Sequence, residues 1–222
     1  MAVRKRNEIV VSIPFDKIKR IQIYENPKRK SIANIIKETG ADYAINGTLY
    51  NMRTRKAVCP LRIDGDTKFA GPYKYFGYAW NTDMPMSFRT ILVPNYEWDN
   101  WIACSRILRN GTMIDNMIYN PAMGGSRGRT AIGIKFVNGE RRLCFYVSAD
   151  KDGYRRTPQK LAHLLEGYGW DDAIMLDSGG SSQGYFKNEK IQVYSPRTVA
   201  HYILVYMNSY RYTLPEEFRT TF

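Results

Sequence analysis

A stretch in the second half of the chain has the sequence IMLDSGGSSQGYF. Its apolar residues are followed by a single carboxylate, Asp177, and then by glycines and serines, which have very small side chains. Glycines let a backbone approach a ligand closely and can turn successive N–H groups into an anion-binding concavity, and serines add hydroxyl donors. The small residues that could do so here are Gly179, Gly180, Ser181 and Ser182. The pattern predicts an anion site beside a carboxylate, or alternatively an Asp-initiated turn in which the glycines serve only the bend.

A second loop, GGSRGR at 124–129, combines small residues with two guanidinium groups. Arginine forms bidentate hydrogen bonds with phosphate oxygens, so Arg127 and Arg129 are candidate phosphate ligands. Arg129 directly precedes a β-rich run, where a rigid element can aim its side chain. Arg197 also precedes a β-rich run. The alternatives are a flexible basic loop for Arg127 and a surface ion pair for Arg197.

Local signals in the second half predict the elements that would position these side chains. Asn138-Gly139 is favoured in tight hairpin turns and predicts strands over 130–137 and 141–148. Thr157 and Pro158 are typical of a helix start and predict a helix over 158–168. The short apolar run at 173–176 then predicts a strand buried on both faces, which ends immediately before Asp177.

The N-terminal half repeats the order helix, glycine, short strand and polar tip. Ser31 is a candidate helix cap, Gly40 a candidate helix end, and the strand at 43–45 stops at Asn46-Gly47. We therefore expect two strand ends to deliver polar groups to one place. With a further strand near the C-terminus and no element predicted over 52–125, the sequence indicates an α/β (α+β) fold with a mixed β-sheet flanked by helices.

Composition limits the functional classes. The 222 residues fit one domain, and the formal net charge of +12 favours either a polyanionic partner or simply a solvated basic surface. No zinc-finger, RRM or basic-zipper pattern is present, so nucleic acid is a disfavoured partner. The three cysteines include no CxxC pair, which indicates free thiols, and Cys144 has the neighbours of a small core hydrophobe. Neither a signal peptide nor a membrane span is visible, so we expect a cytoplasmic protein.

Taken in order, these motifs resemble the phosphodiester glycosidase family over about residues 41–207, most strongly at 129–186. The matching segments are AINGTLY at 44–50, RTAIGI at 129–134, LDSGGSS at 176–182 and SPRTV at 195–199. The resemblance implies hydrolysis of the bond between a sugar anomeric carbon and a phosphodiester, with a phosphorylated sugar in a glycan, a sugar-phosphate polymer or a nucleotide-derived small molecule as the substrate. A phosphate leaving group needs little protonation, so the larger demand is for groups that stabilise its charge and for a carboxylate at the anomeric centre.

On this interpretation the candidate catalytic residues are Asp177, Arg129 and Asp150, since Asp150 ends the strand predicted to pair with the one after Arg129. Asp172 precedes the buried strand at its other end and is interpreted as structural. The candidate substrate ligands are Asn46, Gly47, Arg127, Gly179, Gly180, Ser181, Ser182 and Arg197. No cofactor is required, although a Ca²⁺ ion near Asp177, Asp150 and Asn46 is compatible with their oxygen ligands.

Two positions depart from the family pattern. Ser178 stands where the family usually has glycine, and Thr48 where a second glycine is common. Both add bulk at the expected ligand surface. The alternative function is therefore a non-catalytic module that sequesters a phosphorylated sugar or a nucleotide-like ligand.

Overall fold

The computed structural model describes residues 4–208, which form seventeen β-strands and two α-helices. Their bounds are β1 Arg4–Arg6, β2 Glu8–Pro14, β3 Ile18–Glu25, α1 Ile32–Thr39, β4 Tyr43–Asn46, β5 Leu61–Ile63, β6 Asp66–Phe69, β7 Tyr75–Asn81, β8 Met84–Val93, β9 Asn100–Ala103, β10 Ser105–Arg109, β11 Thr112–Met113, β12 Thr130–Val137, β13 Glu140–Ser148, α2 Pro158–Gly167, β14 Asp172–Met175, β15 Gly184–Phe186, β16 Ile191–Val193 and β17 His201–Met207.

The strands form three sheets. The first has the order β1-β16-β15-β4-β17-β3, the second β11-β10-β14-β12-β13-β2, and the third β6-β5-β9-β7-β8. All strand pairs described are antiparallel except β1 with β16, which makes the first sheet mixed. The α+β prediction is confirmed, with a core dominated by sheets. The third sheet and β10 and β11 occupy the region where the sequence predicted no element.

The three sheets share one core, and each helix covers an outer face. The shared core includes Ile45 of the first sheet, Phe145 of the second and Trp80 of the third. Helix α2 packs its buried leucine stripe on the other face of the second sheet. Helix α1 does the same on the first sheet through Ile32, Ile35 and Ile36. Neither helix within residues 4–208 is long and apolar enough to cross a membrane.

The local signals act as predicted. Asn138 and Gly139 both have positive φ, 51° and 79°, as a tight hairpin turn requires, and join β12 to β13. Ser31 and Thr157 cap α1 and α2 by accepting backbone N–H groups, and Gly40 ends α1 at φ 73°. These short-range signals fix the helix starts, the end of α1 and the β12–β13 turn, and the two helices precede β4 and β14, which carry the site.

Candidate active site

The site forms where β4 of the first sheet and β14 of the second come together. The Asn46 side-chain amide donates to the Asp177 carbonyl at 2.8 Å, and the Asp177 N–H donates to the Gly47 carbonyl at 3.2 Å. Two strand ends far apart in sequence therefore bring their polar residues to one place, and this part of the prediction is confirmed.

Asn46 is fully buried beneath the turn that follows Asp177. Its Oδ1 accepts from the Thr130 hydroxyl at 2.6 Å and from the Gln183 N–H at 3.1 Å. Gly47 is packed against His201, because a Cβ on it would meet the His201 carbonyl oxygen at 3.2 Å. The Asn46 amide thus joins neighbouring segments, and its oxygen is not free to bind a Ca²⁺ ion together with Asp177 and Asp150.

The Asp177 carboxyl group is shielded from water, with a residue exposure of 9%. Burial raises its pKa to about 6, although the Ser181 hydroxyl, the Ser178 N–H and the Arg197 charge all favour the ionised form. The Ser178 N–H lies 2.9 Å from Oδ1. A carboxyl group with a pKa near 6 exchanges its proton close to neutral pH, as a general acid or base must.

Glycines let the turn after Asp177 fit between charged side chains. Gly179 has a φ of 66°, a conformation that favours glycine. A Cβ on Gly179 would lie 3.7 Å from Asp150 Oδ2 and 3.8 Å from the Arg127 side chain. A Cβ on Gly180 would lie only 3.0 Å from Arg197 Nη2. The predicted carboxylate and two arginines therefore line this turn.

The pKa of Asp150 is shifted in the opposite direction to that of Asp177. Its Oδ1 accepts from the Gly128 N–H and from Arg155 Nε, each at 2.9 Å. Partial burial raises its pKa, but the Gly128 N–H and the Arg155 guanidinium outweigh burial, so the pKa lies below its usual value. Two carboxyl groups whose environments move their pKa values apart are typical of sites that use one as an acid or base and the other as a fixed charge.

Arg129 is fully buried, and its guanidinium group bonds to the protein itself. Nε donates to the Arg156 carbonyl at 2.7 Å, Nη1 to the Met123 carbonyl at 2.7 Å, and Nη2 to the Gly125 carbonyl at 2.6 Å. Burial and the neighbouring Arg127 lower its pKa to about 10, so it remains charged at neutral pH. In this arrangement Arg129 braces the 123–125 loop, and its three guanidinium nitrogen atoms all donate within the protein.

Arg127 and Arg197 are exposed at the rim. Arg127 Nε donates to the Gly124 carbonyl at 3.1 Å, and Arg197 Nη1 donates to the Ser181 hydroxyl at 3.2 Å. Asp172 lies at the other end of β14, where it pairs with Arg106 and accepts from the Tyr78 hydroxyl at 3.1 Å. The structural role predicted for Asp172 agrees with these contacts.

A cavity of about 380 Å³ opens beside the turn. Its lining contains neither Asp177 nor the predicted arginines, and consists of Lys5, Arg6, Asn7, Ala149, Asp150, Lys151, Gly179, Gly180, Ser182, Tyr194, Ser195 and Pro196. The Ser182 hydroxyl is buried and has no hydrogen-bond partner in the part of the chain that the structure describes. Sequence reasoning missed Lys5, Arg6 and Tyr194, because only the pairing of β1 with β16 brings them to the site.

Lys5 Nζ lies 4.6 Å from the centre of the Tyr194 ring, so the cationic rim also has an aromatic surface. The only signal in the sequence that could have pointed to this rim was the run of basic residues at 4–6. A run of basic residues alone does not predict which part of the folded protein surface the run will lie on.

We expect Arg197→Met to raise the pKa of Asp177 further, because the Arg197 charge favours the ionised carboxylate. The shift should be a fraction of a pH unit, since Arg197 is exposed and solvent screens its charge. ¹³C NMR titration of the Asp177 carboxyl carbon measures the shift. Arg53→Met is the control, because Arg53 is also exposed and is not among the groups that shift the Asp177 pKa. An unchanged Asp177 pKa in Arg197→Met would contradict the assignment.

The fold and the site define a sheet-dominated α+β protein with an Asp-containing glycine turn beside a basic cavity. The family model described as phosphodiester glycosidase matches residues 39–206, which is most of the chain. The chain belongs to the phosphodiester glycosidase family, and the resemblance predicted from the motifs is confirmed.

Solved structures share this fold. The catalytic domain of zebrafish N-acetylglucosamine-1-phosphodiester alpha-N-acetylglucosaminidase, auto-inhibited by its pro-peptide, superposes with a TM-score of 0.66 at 14% identity over 91% of this chain and 83% of its own. A hypothetical protein from Synechocystis gives 0.69 at 11% identity, over 90% of this chain and 59% of its own. A putative exported protein from Burkholderia pseudomallei gives 0.58 at 10% identity, over 90% and 73%. No curated protein sequence matches the chain.

Proposed function

We propose that this protein is a glycoside hydrolase that cleaves the bond between a sugar anomeric carbon and a phosphodiester. The observation that carries the proposal is the pair of carboxyl groups at the glycine turn, with the pKa of Asp177 raised to about 6 and that of Asp150 lowered. Membership of the phosphodiester glycosidase family supports the same reaction.

In the proposed reaction, water attacks the anomeric carbon and the bond to the phosphate oxygen breaks. The leaving phosphate takes the bonding electron pair, and the proton of the attacking water passes to Asp177. Phosphate is a good leaving group, so the reaction needs charge stabilisation more than a strong acid. Asp150 remains ionised and supports positive charge on the sugar ring, while Arg127 and Arg197 neutralise the phosphate. We assign positioning roles to Asn46 and Arg129, because their polar atoms are bonded to the protein.

The cavity beside the turn suits the substrate. Its volume of about 380 Å³ lies within the range of small-molecule sites, which is about 300–1,000 Å³. Its walls combine the glycine turn with the basic groups of Lys5, Arg6 and Lys151. We propose that the sugar faces the carboxyl groups and that the phosphate and its substituent lie toward the basic rim.

The alternative is a module that binds the ligand without turnover, which the bulk of Ser178 and Thr48 first suggested. Both hydroxyls bond inward, Ser178 to the Leu176 carbonyl at 3.1 Å and Thr48 to the Ala103 carbonyl at 2.8 Å. Both residues are buried, and neither lines the cavity. Their bulk is therefore a weak argument against catalysis.

Incubation of the protein with alkyl or glycosyl esters of α-N-acetylglucosamine 1-phosphate, followed by ³¹P NMR, distinguishes the two functions. An enzyme converts the phosphodiester signal into that of a monoester with release of free sugar. A binding module leaves the diester intact, and the ligand is recovered unchanged after denaturation. Asp177→Asn is the control for turnover by a contaminant. If every ester tested remained an intact phosphodiester, the proposed hydrolase function would be wrong.

We expect the double variant Lys5→Gln, Arg6→Gln to raise KM about 10-fold for substrates with a charged group beyond the phosphodiester, because two cationic groups of the rim are lost. The change in kcat should be small, since neither residue is among the groups that shift the Asp177 pKa. Steady-state kinetics at low and moderate salt measure both effects. The double variant Lys28→Gln, Lys37→Gln, which also removes two exposed charges, is the matched control. An equal rise of KM in both variants would point to net charge rather than to the rim.

A further inference from the structure

Two of the three cysteines flank the third sheet, Cys59 shortly before β5 and Cys104 directly after β9. β5 pairs with β9 through Leu61 and Ile102, and the Ala103 N–H donates to the Pro60 carbonyl at 3.0 Å. Continuing this register outward by one residue, beyond the two strand ends, places Cys59 opposite Cys104 in a non-hydrogen-bonded pair. Cα atoms of such pairs are about 4.5 Å apart, and disulfides need about 4.4–6.8 Å. The backbone therefore has room for a cross-strand disulfide.

The two thiols are close enough for each to alter the pKa of the other, and Cys104 Sγ also lies 3.9 Å from Met123 Sδ. Cys104 and Thr48 lower the pKa of Cys59, although burial opposes this, while Cys59 and burial raise the pKa of Cys104 well above its usual value. Both residues keep some exposure to solvent. The pair thus has the asymmetry of an attacking thiolate and a resolving thiol.

The dithiol also lies beside the candidate active site. Asp177 is close enough to raise the pKa of both thiols, and Thr48, which follows Gly47, contacts both sulfur-bearing side chains. Its hydroxyl bonds to the Ala103 carbonyl, next to Cys104. A bond between the two sulfur atoms would therefore join the segment before β5 to the residue after β9, next to Thr48.

We propose that Cys59 and Cys104 form a modification site, at which a peroxide or a low-molecular-weight disulfide oxidises the dithiol to an intramolecular disulfide. With a peroxide, the Cys59 thiolate attacks one oxygen, the O–O bond breaks, and the departing hydroxide takes a proton to become water. Cys104 then attacks the Cys59 sulfenic acid, the S–S bond forms, and a second water leaves. Two thiols lose two electrons and two protons, and hydrogen peroxide is reduced to two molecules of water.

The third cysteine is an internal control. Cys144 lies in β13, fully buried, and burial raises its pKa to about 12. It should not react with oxidants or alkylating reagents while the protein is folded, since the thiolate is the reactive species. Any reaction that required only the presence of a cysteine would modify all three.

The test is oxidation of the reduced full chain with hydrogen peroxide or oxidised glutathione, followed by alkylation and mass spectrometry. We expect a loss of 2 Da and a linked pair of tryptic peptides, residues 57–62 and 90–106, reversed by dithiothreitol, with Cys144 in the peptide 143–151 alkylated only after unfolding. Cys144→Ser should behave as the wild type. Cys104→Ser should stop at a dimedone-reactive sulfenic acid or a mixed disulfide on Cys59, and Cys59→Ser should form no disulfide.

Formation of disulfides only between molecules, equal reactivity of all three thiols, or oxidation of Cys59 without a link to Cys104 would overturn the proposal. The readout is the mass of the protein and needs no turnover. It therefore stands or fails separately from the proposed hydrolase function.

Discussion

Asp177→Asn is expected to lower kcat by about 10²–10⁴-fold, the range typical of a positioned general acid or base, and to change KM far less. Asparagine keeps the volume and an oxygen that accepts the Ser178 N–H, which in the wild type lies 2.9 Å from Oδ1. It removes the charge that acts only as the transition state forms. Steady-state kinetics with a sugar 1-phosphodiester, at the pH optimum of the wild type, measure this effect.

The same substitution should stabilise the folded protein at alkaline pH. Burial raises the pKa of Asp177 from 3.8 to about 6, so ionisation costs more in the folded chain than in the unfolded chain. Below about pH 4 the Asp177 carboxyl group is protonated in the folded and in the unfolded chain, and the folded state loses no stability through its ionisation. Between about pH 4 and pH 6 this loss of stability grows, and above about pH 6 it is constant. About two pKa units correspond to roughly 3 kcal/mol at pH 8, as an upper estimate. Urea unfolding at pH 4 and pH 8 should show a higher free energy of unfolding for Asp177→Asn than for the wild type only at pH 8.

Asp172→Asn is the matched control, because Asp172 is also a buried carboxylate with a raised pKa. It pairs with Arg106, so its loss leaves a largely buried cation without its partner and should cost about 3–5 kcal/mol. Folded Asp172→Asn should retain kcat within a few-fold. Wild-type turnover in Asp177→Asn would show that Asp177 only forms the turn, and the proposed mechanism would be wrong.

Arg129→Met is expected to lower the free energy of unfolding by about 2–5 kcal/mol. Methionine removes the cost of burying a cation, but it leaves three backbone carbonyls, those of Met123, Gly125 and Arg156, without their donors. The 123–125 loop would then lose its brace, and kcat/KM should fall about 10–100-fold through misplacement of the rim. Urea unfolding and kinetics at a temperature where the variant is folded measure the two effects.

Arg129→Lys separates positioning from direct contact. A lysine keeps the charge but cannot reach all three carbonyls with the fork of a guanidinium, so it should recover only part of the stability and activity. Arg127→Met, at the exposed rim, should change stability by less than about 0.5 kcal/mol and raise KM. If Arg129→Met kept wild-type stability and lost only substrate affinity, Arg129 would bind the phosphate directly and the role assigned here would be wrong.

The sequence by itself determined the features that depend on residues near one another in the chain. Asn138 and Gly139 adopt the positive φ values that a hairpin needs, and Ser31 and Thr157 cap helices through their own neighbours. The apolar run before Asp177 is buried as β14. These outcomes follow from backbone sterics and short-range hydrogen bonds, which a local pattern contains.

Tertiary structure decided where the chain's distant groups meet and what surrounds them. The third sheet was not predictable from the weak periodicity of 52–125, because its short strands are held by partners remote in sequence. Arg129 was correctly noticed, yet the carbonyls that occupy its guanidinium belong to residues that only the fold brings near. The raised pKa of Asp177 likewise comes from burial beneath several segments. A sequence identifies the residues whose side chains could take part in catalysis. The desolvation and the orientation of those side chains depend on long-range packing.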